Sequence, residues 1–119
     1  MIVLAASVAG TASAQTEPVD GGARWRWLRM PDAIDIGLAF GEKVSSSAKT
    51  GAFGVVECTV AANGRLINCD TAEETPGSRM GEAVKVVAGF YKASRVDREG
   101  KPTEGRRTRV AFGLAGRYY

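Results

Sequence analysis

The sequence contains no histidine among its 119 residues, and it has only two cysteines and four prolines. Without histidine the chain has no imidazole base and no histidine-containing metal site. Glycine-rich phosphate loops, carboxylate pairs with an acid–base spacing and serines beside an activating base are also missing. We therefore expect a protein that is not an enzyme and that uses no cofactor and no metal.

Long apolar runs are missing as well. The longest tract, at the N-terminus, covers about 14 residues, whereas a membrane-spanning helix needs roughly 20. It includes the uncharged run Ile2–Ala9 and ends in Ala12-Ser13-Ala14 before Gln15. Small residues in this arrangement indicate a secretory cleavage site, so we assign residues 1–14 to a signal peptide and expect a periplasmic protein. The usual basic start of a leader is absent, which leaves open a longer N-terminus and a membrane association.

The charge balance is mildly basic, with 16 basic and 13 acidic residues and a net charge of +3. The basic residues concentrate in Arg95–Arg109, a stretch that suits anionic lipid or polysaccharide as well as it suits a solvated face. We expect no nucleic-acid partner. The length allows one domain, and the core of a domain of this size is modest.

Residues 15–30 are predicted to form a flexible lead-in arm, because Pro18, Asp20, Gly21 and Gly22 favour turns. Trp25 and Trp27 alternate with arginines in this arm. They could contact a sugar or a membrane surface, but tryptophans in such an arm more often pack on the adjoining domain, which is the interpretation we favour.

The central feature is the stretch Phe53–Thr71, in which two alternating runs are joined at Asn63-Gly64. Asn-Gly is a strong signal for a two-residue hairpin loop. In that register, Cys58 lies opposite Cys69, within reach of a disulfide. A four-residue loop would keep this pairing, whereas a three-residue loop with a bulge would break it. One face of the hairpin is predicted to be buried and consists of Val56, Cys58, Val60, Ile67, Cys69 and Thr71.

The remaining pattern predicts an α+β fold of order α-β-β-α-β. Asp32 is placed to cap a first helix that runs to about Val44, and a second amphipathic helix follows Ser78. Residues 107–114 alternate again and predict a third strand. A right-handed crossover then gives a three-stranded antiparallel sheet in the order 2-1-3, with two helices on one face.

In that arrangement the third strand is left as an open edge. Its unpaired N–H and C=O groups could accept an extended peptide by strand addition. Arg107 and Arg109 would then be able to meet acidic side chains of the peptide. An equally weighted alternative is that these arginines are gatekeepers against aggregation.

From about Trp27 to Leu114 the sequence resembles the C-terminal domain of TonB energy transducers. The resemblance rests on the order and spacing of several motifs: Trp27-x-x-x-Pro31, Gly51-x-Phe53, Asn63-Gly64-Arg65, Cys69 to Thr75, Gly89-Phe90-Tyr91-Lys92, the Asp97 to Pro102 loop and the strand Arg107–Leu114. It implies a periplasmic domain, residues 31–116, that grips an extended segment of an outer-membrane transporter beside its last strand. The family's Tyr-Pro pair is replaced here by Phe40-Gly41, and no Pro-rich spacer is present.

The resemblance therefore predicts a protein-binding module linked to TonB-dependent transport. The residues predicted to bind the partner are Arg107, Arg109, Ala111, Gly113 and Phe40. The alternative function is a structural or surface-associated envelope protein that touches lipid or glycan through Trp25, Trp27 and the basic loop. Homodimerisation through edge strands is a further option that the sequence leaves open.

Overall fold

The structure is a computed structural model, which describes residues 12–43 and 52–114. Six strands and two helices follow one another in this part of the chain. In chain order they are β1 (Ala12–Pro18), β2 (Trp25–Arg29), α1 (Ala33–Lys43), β3 (Phe53–Val60), β4 (Leu66–Glu74), α2 (Met80–Ala88), β5 (Lys92–Asp97) and β6 (Arg107–Leu114). The predicted α+β class is confirmed.

The strands form two antiparallel sheets. The larger sheet has the order β1-β6-β3-β4, and β2 pairs with β5 in a separate ribbon. The three predicted strands, now β3, β4 and β6, keep the order that the crossover argument gave. The prediction of a single three-stranded sheet was nevertheless wrong. The segment predicted to be a flexible arm forms part of β1 and all of β2, and a further strand, β5, follows α2.

The core lies between the larger sheet and α2. The predicted stripe of α2 is buried, and it consists of Met80, Ala83, Val84, Val87 and Ala88. The helix approaches β3 closely at Gly54, where a Cβ atom would lie 2.9 Å from the backbone carbon of Met80. Tyr91 is also fully buried, and this burial raises the pKa of its phenol to about 12.

The first helix begins as predicted, with Asp32 at its cap. The Asp35 N–H donates to Asp32 Oδ1 at 2.8 Å, and the Asp32 N–H donates to Asp35 Oδ2 at 3.1 Å. The placement of this helix differs from the prediction, because α1 makes its main contacts with α2 and not with the sheet. Ala39 is 1 % exposed, whereas Ile34 and Leu38 are 73 % and 62 % exposed. One apolar stripe of α1 therefore points to solvent.

The disulfide between Cys58 and Cys69 is confirmed, with the sulfurs 2.01 Å and the Cα atoms 4.1 Å apart. The predicted two-residue turn is wrong, because Val60 pairs with Leu66 and the Ala61 N–H bonds to the Arg65 carbonyl at 2.8 Å. Three residues therefore form the loop. The register shifts back at Asn68, which has a φ of 52°. The loop shifts the strand pairing by one residue and the bulge shifts it back, so Cys58 and Cys69 still lie opposite each other.

The register shift also changes which side chains face the core. Val56, Cys58 and Val60 are buried as predicted. On the return strand, Leu66 is 6 % exposed and Ile67 is 43 % exposed, so the prediction that Ile67 lies in the buried face was wrong. A slip of one residue sends every side chain to the opposite face of a strand. Thr71, beyond the bulge, is exposed, and this prediction was wrong as well.

Candidate functional site: the edge of the last strand

The last strand, β6, has a partner on each side. It pairs with β3 on one side and with β1 on the other, in a register that runs from Ala12 opposite Leu114 to Pro18 opposite Thr108. The prediction of an open edge at β6 was therefore wrong for the chain as it stands. The physical reason is that the chain's own N-terminal segment satisfies the backbone groups of that edge.

Four of the five predicted binding residues lie together, through their backbone. The Val19 N–H donates to the Arg107 carbonyl at 2.9 Å, which places the backbone groups of Arg107 on the β1 side. Because N–H and C=O groups of alternate residues point to the same side of a strand, those of Arg109, Ala111 and Gly113 also face β1. These four residues form the backbone surface to which an added strand would bind.

The two arginine side chains are already engaged within the chain. Arg107 Nη1 donates to Thr59 Oγ1 at 2.9 Å, and its guanidinium lies 3.8 Å from Glu57 Oε1 and 3.7 Å from Asp70 Oδ2. Arg109 Nε lies 3.4 Å from Glu57 Oε2. Acidic side chains of a partner would have to compete with these carboxylates, so the expected charge contact has little support. The side chain of Phe40 lies outside the described residues.

A cluster of charged residues anchors β1 at its C-terminal end. Arg106 Nε lies 3.0 Å from Asp20 Oδ2, and Arg106 Nη1 lies 2.8 Å from Asp97 Oδ2. The hydrogen bond from Arg106 is the main cause that lowers the pKa of both carboxyl groups, and backbone N–H groups add to it. Thr108 Oγ1 also donates to the Glu17 carbonyl at 2.9 Å. These contacts hold the Asp20 end of the segment.

Nothing in the sequence indicated that Asp20, Asp97 and Arg106 form a cluster. Asp20 and Arg106 are 86 positions apart, and no local pattern connects residues at such a distance. The alternation of residues 107–114 predicted the strand that follows Arg106, but it gave no information on the ion-pair partners of that arginine.

We expect Arg106→Gln to reduce the dependence of stability on pH in acid. Both carboxyl groups have a folded pKa below the ordinary value of 3.8. Their contribution to stability is therefore present above about pH 4 and is lost as the pH falls through the folded pKa values. Urea unfolding between pH 7 and pH 2 should give a flatter curve for the variant. Arg98→Gln, which changes an exposed arginine, is the matched control, and parallel curves for Arg106→Gln and wild type would contradict the assignment.

β1 also borders a cleft of about 400 Å³. The cleft separates β1 from β2, and its walls include Gln15, Thr16 and Pro18 together with Trp25, Trp27 and Met30. Among residues 12–43 and 52–114, β6 is the strand that pairs with β1.

The tryptophans pack inward, which confirms the favoured interpretation. Trp25 is 4 % exposed, and the Trp27 ring lies 4.8 Å from that of Tyr91, edge to face. The Arg106 guanidinium lies over the Trp25 ring at 5.3 Å. Trp25 is buried and Trp27 is half-buried, so contact of these indoles with lipid or glycan has little support.

The fold and site define a small disulfide-bonded α+β domain whose last strand is covered by its own N-terminal segment. A scan against models of protein families, a search of curated proteins and a search of solved structures found no match to this chain. Neither helix in the described part is long and apolar enough to cross a membrane. Within residues 12–43 and 52–114, no three potential ligands among Cys, Asp and Glu are grouped to hold a metal ion.

Proposed function

We propose that the protein is a periplasmic TonB-like module that captures extended segments of outer-membrane transporters or other envelope proteins by strand addition at β6. The observation that carries the proposal is the seven-residue antiparallel pairing between β6 and a segment from elsewhere in the chain. This pairing supports strand addition, because an extended segment of the chain itself already lies along that edge. The likeness of the sequence to TonB C-terminal domains supports the same role. The disulfide is compatible with an extracytoplasmic compartment.

The predicted secretory cleavage site falls within the covering strand. Cleavage after Ala14 would remove the partners of Phe112, Gly113 and Leu114 and leave only four residues of β1 on β6. Ser13 lies opposite Gly113 on the side where the backbone groups of β6 face β1. In the mature chain the N–H and C=O of Gly113 would then be free to bind a partner.

An incoming segment would start at this free end and displace the rest of β1. Residues 15–18 form one wall of a cleft that Trp25 and Thr108 also line, so an incoming backbone would have to replace them on that wall. The Asp20 end stays fixed by Arg106. The open part of the β6 edge is thus short at first and becomes longer as β1 is displaced from β6.

The test compares a chain that begins at Gln15 with one that begins at Ala12. The probes are extended peptides from the periplasmic N-termini of outer-membrane transporters, and the readout is amide hydrogen exchange. We expect the Gly113 amide to exchange rapidly in the shorter chain and to become protected when a peptide binds. In the longer chain the same amide should be protected without peptide, and peptide binding should be at least about tenfold weaker.

Gly113→Pro in the shorter chain serves as the negative control, because it removes the N–H that would receive the peptide. Ser94→Ala, in β5, is the matched substitution away from the edge. Two results would count against the proposal: peptides that bind the Gly113→Pro variant as well as the parent, or protection that develops along β4 with no change at β6.

A further inference from the structure

A second surface, formed by β2 and α1, is apolar and exposed. We name it the β2–α1 surface and define it by Leu28, Met30, Ile34 and Leu38. These side chains are 61 %, 55 %, 73 % and 62 % exposed, and they include the most exposed large apolar residues of the described chain. Four such residues within one short segment exceed the scattered apolar exposure that is normal for a surface.

Local contacts hold the four side chains in one region. Ile34 and Leu38 are one helical turn apart and lie on the same face of α1. Arg29, which lies between Leu28 and Met30, forms an ion pair with Asp35 at 3.6 Å. The end of β2 is therefore tied to the first turn of the helix, so the two segments that carry the apolar residues lie close together.

Two exposed cations lie on the ribbon that carries Leu28. Arg26 and Leu28 are both exposed and flank Trp27 in β2. Lys92 pairs with Arg29 across the ribbon. Both Arg26 and Lys92 are exposed, and neither has an ion-pair partner among residues 12–43 and 52–114.

The acidic groups of the segment are engaged elsewhere. Asp35 is paired with Arg29, and Asp32 Oδ1 accepts the N–H at the helix start. A second copy of the chain docked on this surface would bring a second set of the same cations to it, which is unfavourable. An anionic lipid surface offers complementary charge, and its interface accepts apolar side chains beside cations. We propose that the β2–α1 surface binds anionic phospholipid membranes peripherally.

The test is co-sedimentation of the full chain with vesicles of equal parts phosphatidylcholine and phosphatidylglycerol, compared with vesicles of phosphatidylcholine alone. We expect binding to the anionic vesicles that weakens with rising salt. Replacing both Leu28 and Leu38 by serine should weaken it about tenfold or more. Arg26→Gln and Lys92→Gln should each weaken it about fivefold, because one cation near such a surface contributes about 1 kcal/mol.

Ile67→Ser and Lys101→Gln are the matched controls, since both change exposed residues far from the surface in sequence, and they should leave vesicle binding unchanged. Thermal melts of every variant separate a loss of binding from a loss of folding. Three results would overturn the proposal: no binding to anionic vesicles, binding that the serine substitutions leave intact, or a dimer in solution that these substitutions dissociate. The last result would identify a second copy as the occupant.

Discussion

Replacing both Cys58 and Cys69 by alanine is expected to lower the free energy of unfolding by about 3 kcal/mol. The disulfide closes a loop with a sequence separation of 11, and a loop of this size restricts the unfolded chain by about that free energy. The side chain of Cys58, a residue of β3, is fully buried in the core. Its replacement by the smaller alanine therefore also removes packing contacts, in addition to the loss of the disulfide. For a domain of this size, such a change is a large part of the total stability.

The measurement is urea unfolding of the oxidised wild type, the reduced wild type and the double alanine variant. Reduction should give most of the loss, because it releases the same loop, and the double variant should lose more because alanine is smaller than cysteine. Thr59→Ala, beside Cys58 on the opposite face of β3, is a control that keeps the disulfide. A double variant within about 1 kcal/mol of the oxidised wild type would show that the disulfide contributes little to the fold.

A second large effect is expected at the hairpin loop, where Gly64→Ala should destabilise the protein by about 2–4 kcal/mol. Gly64 has a φ of 86°, and a side chain in this region adds roughly 1–2 kcal/mol. In addition, a Cβ at this position would meet the backbone oxygen of Ala93 in β5. That neighbour is main chain and holds a 2.8 Å hydrogen bond from its N–H to the Gly64 carbonyl, so relieving the clash disturbs the contact between loop and β5.

Gly100→Ala is the matched control. Gly100 has a φ of 83°, but a Cβ there would meet nothing within 4 Å. It should therefore show the conformational cost alone, about 1–2 kcal/mol. Chemical unfolding of the two variants isolates the steric part as their difference. If the two variants were equally stable, the close approach of the loop to Ala93 would not exist in solution.

The sequence predicted the hairpin well because its signals are local. Alternation over Phe53–Val60, the Asn63-Gly64 pair and the two cysteines gave the strands, the turn region and the disulfide. The loop length was wrong, since Asn-Gly suits more than one loop and the choice depends on neighbours. Here the Gly64 carbonyl binds the Ala93 N–H, and β5 was not predicted. The bulge at Asn68 was equally invisible, although it restores the register of the cysteines.

The candidate site was predicted in part. The strand that carries it, Arg107–Leu114, was found with its correct ends, and its four predicted residues direct their backbone groups to one side. The prediction that this side of the strand is open was wrong, because β1 pairs with it. The sequence of residues 12–18 suits a cleavage site and a linker, and nothing in it indicates pairing with residues about a hundred positions later.

By itself, the amino-acid sequence determined the α+β class, the amphipathic helices, the disulfide and the strand that bears the site. Each of these depends on residues close in the chain or on side-chain periodicity, which acts before any long-range contact forms. Only the tertiary structure decided that β1 covers β6, that Arg106 joins Asp20 to Asp97, and that α1 keeps an apolar face in solvent. Such contacts join distant segments, and they form because unpaired backbone groups and charges find partners only once the chain has folded.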